Sequence, residues 1–156
     1  MNILLAGYGF YVLGNNKLEG GTILPSLINW SNLSCNNKIN LTCVVRTEDS
    51  LKIANQRFYD FFNKYKIDLN LNLVVKKYEE ISELTKYDCG IISIPERSHL
   101  DCLKFMVKMT KNIICVKPFT LNTDQYLESL KIAKTENVNI FVDFHKRYDE
   151  TNIEFI

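Results

Sequence analysis

Residues 2–27 read NILLAGYGFYVLGNNKLEGGTILPSL, and the parsing of the stretch between Ala6 and Thr22 decides what kind of domain this is. NILLA is a short apolar run of the sort that forms a strand covered on both faces. Gly7-Tyr8-Gly9 follows it directly and opens like a turn that lets backbone approach a diphosphate. The slot where a third glycine would fall holds Val12, and helical spacing resumes only with Ile23, Leu24, Leu27, Ile28 and Trp30. We therefore expect a loop from about Phe10 to Gly20, inserted into the fingerprint, with Gly21 taking the third-glycine role. On this reading the site is interrupted in sequence and whole in space. A glycine-rich βα turn of another α/β fold is the competing reading, since glycines also serve turns for conformational reasons alone.

Working outward, further β-type runs recur as INLTCVV (39–45), LNLVV (71–75), CGIISI (89–94), NIICV (112–116) and NIFVDF (139–144). Between them lie helical sets: Leu51, Ile53, Ala54, Phe58, Phe61, Phe62 and Tyr65; Leu100, Leu103, Phe105, Met106 and Met109; Tyr126, Leu127, Leu130, Ile132 and Ala133. Pro25 suits an early helical position, and Thr123 with Asp124 marks another helix start. Regular alternation of strand and helix predicts a doubly wound, mostly parallel α/β sheet of Rossmann-like type in a single domain.

Composition narrows the partners. The 156 residues suffice for one domain with a core; 46% are hydrophobic, 24% are charged, and the net charge is only +1. That balance gives no electrostatic case for nucleic acid or a membrane surface. The opening MNILLAGYG has no basic leader and an apolar run far short of the roughly 20 residues of a membrane span, so a cytoplasmic protein is expected. Cys35, Cys43, Cys89, Cys102 and Cys115 are odd in number and show no C-x-x-C spacing. Reduced, buried thiols are expected from them, and no metal site.

From Tyr87 onward the chain resembles the nucleotide-binding half of the Gfo/Idh/MocA oxidoreductases (glucose–fructose oxidoreductase and inositol dehydrogenase type). The resemblance rests on four landmarks in order: Ser93-Ile94-Pro95, His99, Val116-Lys117-Pro118 and Lys146-Arg147-Tyr148, with GTILPSL as the first helix start. It implies a nicotinamide dinucleotide, NAD or NADP, and hydride transfer to or from a sugar or sugar-nucleotide. It also implies that Ser93, Pro95 and His99 lie along the cofactor, that Lys117 with Pro118 sits at the substrate side, and that Lys117 is the catalytic candidate. Val116 stands where the family has glutamate, which puts the tuning of Lys117 in question. A cofactor unit at 1–145 and the start of a linker at 146–156 follow from the same resemblance. The substrate-holding unit of the family, with its Asp-x-x-x-His helix, has no counterpart in these residues. A non-catalytic nucleotide-binding or redox-sensing module is therefore the alternative, and homo-oligomer formation is left open.

Cofactor choice should be made where the second strand ends, in VVRTEDS. Arg46 and Thr47 there point to the 2′-phosphate of NADP, whereas Glu48 or Asp49 would favour NAD if the strand ran two residues further. The cofactor-binding set expected from sequence is thus Gly7, Gly9, Phe10, Gly21, Arg46, Thr47, Ser93, Pro95, His99, Lys117 and Pro118.

Overall fold

The computed structural model describes residues 1–14, 21–33, 38–65 and 71–144. Six parallel strands form one sheet: β1 (Asn2–Ala6), β2 (Ile39–Val45), β3 (Leu71–Lys77), β4 (Cys89–Ile92), β5 (Asn112–Val116) and β6 (Asn139–Asp143). Their order across the sheet is β3-β2-β1-β4-β5-β6. The connections lead leftward from β1 and rightward from β4, so the order reverses between these two strands. Five helices accompany them: α1 (Phe10–Leu13), α2 (Ile23–Leu33), α3 (Glu48–Tyr65), α4 (His99–Met106) and α5 (Thr123–Glu136). The doubly wound parallel sheet expected from the alternation is present.

Alternate side chains of each strand feed two separate cores. Ile3, Leu5, Leu41, Cys43, Val45 and Ile91 meet Val12, Leu24, Ile28, Ala54 and Phe58 from α1, α2 and α3. On the opposite face Leu4, Ala6, Ile92, Ile113 and Cys115 meet Cys102, Leu103 and Met106 from α4. The first face is covered only over β1 to β4. Over β5 and β6 it carries no helix among the described residues, leaving Ile114 37% and Phe141 57% exposed beside α2.

A row of amides runs across the start of the sheet. Asn72 Nδ2 donates to Asn40 Oδ1 at 3.1 Å, and Asn40 Nδ2 to Asn2 Oδ1 at 2.8 Å. On the other half Asn139 Nδ2 donates to Asn112 Oδ1 at 3.1 Å. These residues are directly opposite one another in the parallel ladders.

Several local expectations need correction. Phe10–Leu13 is a helical turn with Gly9 as its N-cap, not part of a loop. α2 runs on past Trp30, the last of its expected helical set, through Ser31, Asn32 and Leu33, where the Ser31 hydroxyl donates to Ile28 O at 3.0 Å. β3 runs on to Lys77, two residues past its apolar stretch, because Val44 and Val45 of β2 still pair with Lys76 and Lys77. α5 is capped one residue earlier than expected: Asn122 Oδ1 accepts from the Gln125 amide at 3.0 Å. Pro25 does lie in the first turn of α2. Cys43, Cys89, Cys102 and Cys115 are free thiols, none of them exposed.

Candidate functional site

In an open parallel sheet a ligand crevice forms at the carboxyl ends of the strands, where the order reverses. Here that point lies beyond β1 and β4. The Ser93 amide donates to Ala6 O at 2.8 Å, so the two strand ends stay paired. Gly7 then leaves with φ +116, a conformation L side chains rarely adopt, and a Cβ on it would lie 2.0 Å from Ser93 O. Glycine is required at this position by the chain's own packing, before any ligand is considered.

Gly9 differs. A Cβ built on it has nothing within 4 Å, so the space above it is open to a visiting group. Its carbonyl accepts from the Val12 and Leu13 amides at 3.1 and 3.0 Å. The amides of Phe10 and Tyr11, at the start of α1, find no partner among the described residues.

The interrupted fingerprint resolves in an economical way. α1 stops at Gly14, whose amide donates to Phe10 O at 2.8 Å and whose carbonyl accepts from Arg57 Nη2 at 2.7 Å. Tyr11 O takes its next bond from the Thr22 amide, at 2.8 Å. In an uninterrupted α-helix that donor would be four residues on, at position 15. Thr22 therefore stands in for it, and the excursion is seven residues long (22 − 15 = 7). Gly21 occupies the join: a Cβ there would meet Val12 C at 2.5 Å and Gly14 N at 2.7 Å. Its lack of a side chain serves the packing of α2's start against α1, while Val12, fully buried, holds the slot of the third glycine.

Gly7, Tyr8, Arg46, Tyr78, Ile94 and Pro95 line one crevice of about 170 Å³ beyond the ends of β1, β2 and β4. Sequence reasoning named Gly7, Arg46 and Pro95 and missed Tyr8 and Tyr78. Tyr78 lies in the turn after β3, where no periodicity singles it out. Its hydroxyl is 3.3 Å from Cys102 Sγ, and burial, with the neighbouring thiol, pushes its ionisation upward against the lowering effect of Arg46. Arg46 itself is exposed. Thr47 turns its hydroxyl to α3: Oγ1 accepts from the Ser50 amide at 3.1 Å. β2 ends at Val45, so the strand extension that would have made Glu48 or Asp49 the ribose acid does not occur. Both open α3, and Glu48 pairs with Lys77 at 3.6 Å.

The far wall comes from β4 and β5. Lys117 is exposed past the end of β5, with Nζ 6.0 Å from the centroid of the Tyr11 ring, within reach of a cation–π attraction. That contact brings Lys117 up to α1 and the glycine turn; nothing in the sequence flagged Tyr11. Pro118, joined to Lys117 by a cis peptide, is exposed too. Ser93 is buried. His99 is only 2% exposed; Nε2 lies 2.8 Å from Ile94 O, and Nδ1 lies 3.2 Å from Phe119 O and 3.4 Å from Cys115 Sγ. Neither ring nitrogen is left over for a ligand. Lys146, Arg147 and Tyr148 lie outside the described residues. Among the described residues no group of three potential metal ligands occurs, and no helix is long and apolar enough to cross a membrane.

The Gfo/Idh/MocA model, an oxidoreductase family with an NAD-binding Rossmann fold, matches residues 2–144. The chain belongs to this family. Among curated proteins, an uncharacterized oxidoreductase of Schizosaccharomyces pombe is 28% identical over 78 residues, covering 48% of this chain and 21% of the yeast protein. A probable dehydrogenase from Thermotoga maritima superposes with a TM-score of 0.59 at 19% identity, over 96% of this chain and 38% of that one. An NAD-binding oxidoreductase from Klebsiella pneumoniae gives 0.65 at 16% identity, over 94% and 34%. A scyllo-inositol dehydrogenase from Lactobacillus casei, solved with NAD(H) and scyllo-inositol, gives 0.57 at 15% identity, over 96% and 37%. This Gfo/Idh/MocA chain therefore spans little more than a third of those solved chains, and at these identities the likeness is one of fold. As a family member it is an NAD-binding Rossmann unit of oxidoreductase type.

The residues present fit a dinucleotide. The unfilled space above Gly9 is a cradle a side chain would close, and the first-turn amides beside it, which find no partner among the described residues, suit an anionic diphosphate.

Proposed function

We propose that the chain is the cofactor-binding unit of an oxidoreductase that moves hydride between NAD(P) and a sugar or sugar-nucleotide. The observation that carries this reading is the crevice at the β1/β4 reversal, where Gly7, Arg46 and Pro95 converge beside the open Gly9. The inositol dehydrogenase among the structural neighbours supports the substrate class.

In this reading the open Gly9 backbone and the amides of Phe10 and Tyr11 receive the diphosphate, while Gly7 and Gly21 keep the turn compact. Arg46 takes the 2′-phosphate of NADP at the turn that Thr47 shapes. Ser93 and Pro95 border the ribose and nicotinamide, which supplies or accepts the hydride when bound. Lys117, its backbone fixed by Pro118, donates to the substrate oxygen and stabilises charge developing there. Residues 1–145 form this unit and 146–156 begin the link to a second unit that holds substrate, since hydride transfer needs both partners in near-attack geometry.

Fluorescence titration with NADPH and NADH tests the reading; saturation by neither, in a folded sample, ends it. Arg46→Ala is expected to weaken NADPH binding about 10- to 100-fold and NADH binding less than about threefold. Equal losses would refute the NADP assignment. Val116, in place of the family's glutamate, favours a second reading, a module that binds the nucleotide without chemistry. Saturable binding with no hydride transfer, when the chain is assayed together with whatever unit follows it, would select that reading.

A further inference from the structure

We infer that His99 is a positioning residue for Lys117, clasping the turn after β4 to the turn after β5. The inference rests on the reading of Lys117 as a crevice residue given above. A role for His99 in direct cofactor contact would need a ring nitrogen turned outward, and the ring is 2% exposed with both nitrogens engaged by the chain.

The partners of the ring are distributed in a telling way. Ile94, whose carbonyl lies 2.8 Å from Nε2, directly precedes the crevice residue Pro95. Cys115 and Phe119, the two partners of Nδ1 at 3.4 and 3.2 Å, lie two residues before and two residues after Lys117. One side chain thus touches both flanks of Lys117 and the residue that sets Pro95. Lys117 is exposed, and among the described residues its ammonium has the Tyr11 ring, 6.0 Å away, as its one side-chain contact. An exposed lysine on a short turn would wander unless its flanks were fixed.

Hydrogen-bond chemistry fixes the ring's tautomer. A carbonyl accepts only, so Nε2 carries the hydrogen and donates to Ile94 O. Nδ1 is then the acceptor and takes the Cys115 thiol at 3.4 Å, with Phe119 O packed 3.2 Å from it. The turn after β4 is thereby joined to a residue two positions from Lys117. No other described side chain bonds to both turns.

Lys117 also belongs to the cofactor-binding set expected from sequence, so a double-mutant cycle on NADH binding separates positioning from plain core packing. His99→Phe fills the same slot without hydrogen bonds and is expected to raise the Kd about tenfold. His99→Gln, which restores a donor toward Ile94 O, should recover binding to within about threefold of wild type. In a Lys117→Ala background, His99→Phe should add less than about twofold, because the residue it acts through is gone. Additive losses, or a glutamine variant as weak as the phenylalanine one, would overturn the inference. A second measurement needs no ligand. Long-range proton–nitrogen NMR on the wild-type chain should show Nε2 protonated and protected from solvent exchange. A rapidly exchanging or unprotonated Nε2 would overturn the clasp even if the variants failed to fold. If neither nicotinamide nucleotide saturated the wild-type protein, the functional reading would fall, and the NMR result would still decide the clasp.

Discussion

The two walls of the crevice are built by different means. The wall that follows β1 is held together by backbone contacts: Gly7 lies against Ser93 O, Gly21 lies against α1, and Thr22 completes the hydrogen bonding of Tyr11 across a seven-residue excursion. The wall from β4 and β5 is made of side chains, with His99 reaching Ile94, Cys115 and Phe119. A backbone wall admits almost no substitution at its contacts yet accepts an insertion between them. A side-chain wall has the opposite tolerance, since a substitute with the right donors can replace the original.

The sharpest way to break this contrast is Gly7→Ala. The added methyl would lie 2.0 Å from Ser93 O, a main-chain atom, at φ +116. A loss of about 3 kcal/mol or more in urea unfolding is expected. A small loss would mean that the β1 wall can yield after all.

Alkaline titration probes the buried thiols that back the two walls. Burial pushes Cys43 and Cys115 from 9.0 up to about 12, and Cys102 to about 11. A folded pKa above the unfolded one stabilises the native state fully below the unfolded value, and that stabilisation is lost as pH rises through the folded value. The urea midpoint should therefore hold up to about pH 9 and fall between pH 9 and 12. The same protonated thiols should resist an exchange reagent at pH 8 until the protein unfolds.

Excision of residues 14–20 tests the tolerance for insertion. It joins Leu13 to Gly21 and puts Thr22 at the helical position whose role it already fills. The melting temperature is expected to change by less than about 5 °C, because loop length carries only a shallow entropic cost. Collapse of the fold would show that the excursion is part of the wall. The smallest stability effect belongs to Gly9→Ala, below about 1 kcal/mol, since a Cβ there meets nothing within 4 Å. NADH binding by this variant should nevertheless weaken about tenfold, which sets Gly9 apart from Gly7 as the glycine kept for a ligand.

These differences also explain what could be read in advance. β1, β2 and β5 were legible to the residue because each is a short run dense in apolar, largely branched side chains. β3 is an edge strand whose last two residues are lysines, so its hydrophobic signal stops before its pairing does. α1 has four residues, too few for a helical period to show, and the donor that continues its hydrogen bonding, Thr22, lies nine positions past Leu13. Arg46 and Pro95 could be found as residues next to strand ends. The partners of His99 lie 5, 16 and 20 residues away, so its clasp exists only in three dimensions.

The asparagine row at the start of the sheet adds a constraint that hydrophobic patterning cannot supply. A strand displaced by one position would turn its apolar residues outward, but a displacement by two would return every side chain to its proper face. Such a two-step slip costs little in alternation alone. It would strand the amides of Asn40 and Asn72 opposite residues that cannot answer them, so the row acts as an index mark that tells parallel strands where to begin.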